Sequence, residues 1–135
     1  MTHKLPHILA FAFLLSPLSG HANECWSISN IKGHSAYADQ GYKFSTDGLR
    51  DTLVCFGTDS GVVTGTDTKF VKFDESTLIG LGGSNQGNAI VEVYQLGRKK
   101  MKLLYVRSRI GTKTVAPLFS DVVSAFVGDA VLVRQ

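Results

Sequence analysis

Histidine is scarce in this chain, and most of it lies in one place. Of four histidines, His3, His7 and His21 fall in the first 22 residues, which leaves His34 alone beyond them. A Ser-His-Asp or Cys-His device would have to be built on that one residue, and no nucleophile elbow accompanies it. Cysteine is limited to Cys25 and Cys55, so a tetrahedral zinc site would want two more ligands, and beyond residue 22 only His34 is offered as imidazole. Proline is nearly absent beyond the start: only Pro117 remains, so no internal strand is interrupted. No run of like charge exceeds three residues, which argues against a basic tail for nucleic acid. The longest apolar stretch, Ile8–Leu18, has 11 residues, and a bilayer span needs about 20.

That stretch follows Lys4 and precedes Gly20-His21-Ala22, small residues at the positions a signal peptidase reads. Residues 1–22 are therefore expected to be a secretory signal peptide cut after Ala22. Cys25 follows Asn23-Glu24, which does not suit a lipoprotein. Residues 23–135 form one expected domain of 113 residues, secreted or periplasmic, with no stable membrane insertion. Lys4 is the only charge in the leader, so 14 − 1 = 13 basic residues face 11 acids there, a net +2. So weak a field gives nucleic acid no general foothold. An even cysteine count in an exported chain predicts a Cys25–Cys55 disulfide, whose loop contributes about 3–4 kcal/mol in the chain-entropy model.

Turn signals recur every 8–12 residues between short runs of β-branched and aromatic residues, the rhythm of an all-β protein. The strongest element is a hairpin over Ala89–Arg109, two alternating runs joined by Gly97-Arg98-Lys99-Lys100. Pairing Leu96 with Met101 sets Val93 against Leu104 and Val91 against Val106, an aliphatic face expected in the core. The opposite face carries Glu92, Tyr94, Leu103, Tyr105 and Arg107 and is expected to be half-wet or to line something. Ser120, Asp121 and Gly128 suggest the cap, first turn and end of a short C-terminal helix. The expected fold is mainly β: a small closed or nearly closed antiparallel barrel, or a sandwich, of about 8–10 short strands with that helix. Trp26, Phe44, Phe56, Phe70 and Phe73 are the expected interior, and a barrel of this size has room for side chains or one small ligand.

Three features stand out as possible sites. Arg98, Lys99, Lys100, Lys102, Arg107, Arg109 and Lys113 gather more than half of the basic residues beyond the leader within positions 98–113. Such a cluster suits an acidic protein cleft or an anionic envelope polymer, or else blunts an exposed strand edge. Gly80–Gly87, with Gly82, Gly83, Ser84 and Asn85 at its centre, is a flexible loop that can insert into a partner, or a plain connection. It is no phosphate cradle, because no Gly-Lys-Ser/Thr follows and the next element is a strand. Glu92 sits mid-strand among apolar residues. Buried, it needs Arg107 or Tyr105 as a partner, and a Glu92–Arg107 pair is the expected arrangement.

The Gly-x-Trp signature of lipocalins is absent, since Glu24-Cys25-Trp26 stands there. The short motifs of small periplasmic lysozyme inhibitors find no match either. The expected function is therefore drawn from the residues alone. It is an exported, non-enzymatic binding protein without cofactor or metal, occluding a protein of the cell envelope as an enzyme inhibitor or toxin-immunity protein does. One alternative is a carrier of a small hydrophobic ligand in a hollow barrel. A second is an envelope hydrolase using Glu92.

Overall fold

A computed structural model describes residues 23–83, 87–111 and 120–134. Nine strands follow one another: β1 (Glu24–Tyr37), β2 (Phe44–Leu49), β3 (Thr52–Phe56), β4 (Ser60–Val63), β5 (Lys69–Asp74), β6 (Thr77–Gly83), β7 (Asn88–Gly97), β8 (Lys102–Gly111) and β9 (Val122–Leu132). A single 3-10 turn, Ala38–Gln40, is the only helical piece among the described residues. All pairings are antiparallel, and β1 pairs with β9, so eight strands close into a barrel with β2 as an extra strand. Closure removes the free edges that an open sheet would expose.

The long first strand makes the closure possible. Its first half, Glu24–Ile28, pairs with β3, and its second half, Ile31–Ala36, pairs with β2. Along its other side it meets β9 from Trp26↔Leu132 to Tyr37↔Val122. A register shift between Ser29 and Lys32 bends it midway, where Asn30 takes φ 50° and donates to Asp129 at 3.0 Å. Asparagine tolerates that left-handed backbone better than most residues. Gly33 lies within the strand without interrupting it. A Cβ there would sit 1.9 Å from the Ala125 carbonyl, so glycine lets β9 approach. The disulfide Cys25–Cys55 crosses β1 and β3, whose Cα atoms are 4.0 Å apart.

Three expectations are corrected. The C-terminal helix does not form: Val122–Leu132 is a strand, with Val122, Ser124, Phe126 and Ala130 buried in alternation. Its β-branched content suits a strand, and its period of two decides the matter. The hairpin lies two residues from the anticipated register, with Leu96 opposite Leu103 and Arg98–Met101 as the loop. Parity survives a two-residue slip, so the same residues share a face, but the faces are reversed. Val91, Leu104 and Val106 are 45, 50 and 47 % exposed, while Tyr94, Leu96, Leu103 and Tyr105 are buried inside. Phe44 and Phe73, at 67 and 73 % exposure, also lie outside, whereas Trp26, Phe56 and Phe70 join Ile28, Val54 and Leu78 in the core.

Candidate functional site

Four rings cross the barrel interior. Phe70 on β5 meets Tyr94 on β7 edge-on, with centroids 5.4 Å apart. Tyr94 stacks on Tyr105 of β8 at 4.2 Å, and Tyr105 on Phe126 of β9 at 5.8 Å. Register explains the ladder, because Tyr94 faces Tyr105 and Tyr105 faces Phe126 across neighbouring strands. To one side the interior is filled by Trp26, Phe56, Leu78, Leu96 and their neighbours. To the other lies a cavity of about 580 Å³, walled by Ile31, Leu49, Val63, Ile90 and Leu103 and by the two tyrosines.

Glu92 and Arg107 line this cavity and stand opposite each other, one inward position beyond the tyrosine pair. Glu92 is only 5 % exposed. Its Oε1 accepts a hydrogen bond from the Tyr105 hydroxyl at 2.5 Å. Arg107 donates from one terminal nitrogen to Ser124 Oγ at 3.3 Å, and Ser124 Oγ lies 2.7 Å from Ser35 Oγ. No ion pair joins Glu92 to Arg107 among the described residues: the tyrosine hydroxyl and the serine hydroxyl take their places. Among the described residues three buried polar atoms keep no hydrogen-bond partner: Glu92 Oε2 and Arg107 Nε in the cavity wall, and Asn88 Oδ1 away from it. A buried polar atom left unpaired costs about 1–3 kcal/mol, so the site is incomplete as it stands.

The electrostatics follow from enclosure. Burial pushes the Tyr94 phenol up to about 12, with the Glu92 charge adding to the effect. Burial raises Tyr105 further still, helped by Tyr94 and by the hydrogen bond to Glu92. Asp47, on β2, is raised by burial but lowered more by hydrogen bonds from Ser35, the Gly48 amide and Tyr37, and it ends below the usual carboxyl range. Arg50 and Asp51 stand exposed at the rim, one charge of each sign. No three of His, Cys, Asp or Glu gather as a metal site among the described residues.

The basic cluster is dispersed by the fold. Arg98 is held within the molecule: it donates to Glu24 at 2.8 and 3.3 Å, to Ser76 Oγ at 2.8 Å and to the Glu75 carbonyl at 2.5 Å, with its guanidinium 5.4 Å from the centre of the Phe56 ring. It seals the packed end. Lys102 pairs with Asp129, and Arg109 donates to the Ser120 carbonyl. Arg107 points into the cavity. Lys99 and Lys100 are exposed at the hairpin loop. Gly82 and Gly83 end β6, where a Cβ on Gly82 would meet Ile90 at 2.7 Å, so Gly82 serves packing. Ser84, Asn85, Lys113 and residues 1–22 lie outside the described residues.

Sequence reading missed Asn88 and the Ser35–Ser124 pair. It placed Tyr94, Tyr105, Glu92 and Arg107 on one face, and that mixed face was the signal for a lined interior. Together these features define a closed antiparallel barrel with a packed core and an open-mouthed cavity beside the tyrosine pair. No protein-family model matches the chain, and no curated protein or solved structure matches it either.

Proposed function

We propose that the chain is an exported, non-enzymatic binding protein that holds one small molecule in the open-mouthed cavity of its barrel. The observation that carries this reading is the cavity with Glu92 Oε2 and Arg107 Nε unpaired inside it. About 580 Å³ lies within the usual range for small-molecule sites, and apolar walls with a few convergent polar groups are their usual lining. Export is supported by the leader over residues 1–22 and by the disulfide, which persists in oxidising compartments. Non-enzymatic action is supported by the single histidine beyond the leader, His34, exposed on the outer side of β1.

Nile red, a neutral apolar dye, tests the reading. Its fluorescence should rise saturably with the native protein and fall at least fivefold in affinity for Ile90→Trp, which fills the cavity. Equal binding by both proteins would locate the dye on the outer surface and remove the proposal.

A partner-occluding role is a second reading, favoured by Lys99 and Lys100 beside a surface groove lined by Gln95, Leu104 and Val127. The pair Lys99→Glu and Lys100→Glu should abolish capture of an envelope protein by the immobilised barrel. Arg98 must be left intact in that test, because its contacts hold the packed end.

A further inference from the structure

We propose that the cavity recognises an uncharged primary or cyclic amide borne on an apolar body. The inference rests on the ligand-binding reading above and adds the chemistry of the ligand. Glu92 Oε2 is a buried acceptor without a donor, and Arg107 Nε–H is a buried donor without an acceptor. They project from directly opposed positions on β7 and β8, so the two unmet needs lie side by side on one wall. A molecule that satisfies both must carry an N–H beside a C=O, which is the edge of an amide, a lactam or an imide.

Charge decides against the ionic alternatives. Glu92 and Arg107 contribute one formal charge of each sign, and Arg50 and Asp51 repeat the balance at the rim. A carboxylate ligand would satisfy Arg107 and set its charge beside Glu92; an ammonium would do the reverse. Beside a carboxylate as buried as Glu92 either mismatch is costly. The flanking faces of Tyr94 and Tyr105 and the side chains of Ile31, Leu49 and Ile90 suit a flat or aliphatic body.

Benzamide, benzoate and benzamidine share one shape and differ in the group at issue. Titrated into the disulfide-intact protein and followed by amide NMR shifts, benzamide should bind at least tenfold tighter than either ion. Glu92→Gln places a donor where the unmet acceptor stands and should cost benzamide at least tenfold more than it costs Nile red, with the native β-sheet circular dichroism retained; an equal loss for both probes would overturn the amide assignment. Tightest binding of benzoate or of benzamidine would overturn the amide assignment and identify an anion or cation site. Binding of Nile red with none of the three would also overturn it, while leaving the cavity reading in place. Failure of all four probes would remove both.

Discussion

Tyr94 and Tyr105 are the most telling single residues, because burial is the largest influence on their chemistry. Both phenols are neutral in the folded chain well above the ordinary value of 10, and Tyr94 titrates only at about 12. The unfolded chain gives up these protons first as pH rises. Their contribution to stability is therefore complete below pH 10 and declines as pH climbs through the folded value of Tyr94. Tyrosinate absorbance should rise later in the native protein than in the urea-unfolded chain, and alkaline unfolding should be abrupt. Glu24 shows the opposite sign. The hydrogen bond from Arg98 holds its carboxyl below the usual 4.5, outweighing burial. That contribution is present above pH 4.5 and is lost as pH falls through the folded value. Arg98→Ala should therefore narrow the drop in urea midpoint between about pH 6 and about pH 3, leaving the portion that belongs to Asp47, Asp74 and Asp129. Glu92 was legible in sequence as an acid needing a partner, because an acid amid apolar residues is costly. Its partner was not, since both Tyr105 and Arg107 lay within reach: the register sets Arg107 directly opposite, yet the hydrogen bond comes from Tyr105 on the diagonal.

Among the elements, pairing is uneven. Ten register pairs join β7 to β8, whereas two join β4 to β5, Ser60↔Val71 and Gly61↔Phe70. Amide hydrogens of β4 should exchange first and those of β7, β8 and β9 last, by native-state hydrogen exchange. Equal protection around the barrel would show that the short strands do not open on their own. The hairpin was located from its alternating pattern and its loop, which are local properties. Its orientation was not, because hydrophobicity ranks faces without saying which is inside. A barrel that keeps Glu92, Arg107 and two tyrosines within inverts the rule that aliphatic residues mark the core. The stretch Ser120–Gly128 failed for a different reason: eight or nine residues can carry a helical and a strand period at once, and only β1 and β8 on either side settle it.

At the scale of the molecule, the barrel wears an aliphatic band. Val71, Ile79, Val93, Val106 and Ala125 lie in consecutive register across β5 to β9 on the outer face. Val106→Lys should leave stability within about 0.5 kcal/mol and weaken retention on a hydrophobic column. Leu103→Lys, three positions earlier and 1 % exposed, should prevent folding. Similar effects of the two changes on thermal melting would contradict the inside-out assignment. The class of fold was legible because strand rhythm and economy of proline and helix formers are properties of the whole chain. The cavity was not, since its walls come from strands far apart in sequence.

The pairing of the first strand with the last has a kinetic corollary. Val133 donates its amide to the Cys25 carbonyl at 2.9 Å, so residues near the two ends of the described chain are stitched together. Until Val122–Leu132 has been synthesised, the remaining strands make a ribbon rather than a tube. Contacts of such long sequence separation form slowly. A ring made by splicing residue 134 to residue 23 and cut open between Lys99 and Lys100 keeps this stitch local, and so should refold faster than the linear order of strands allows.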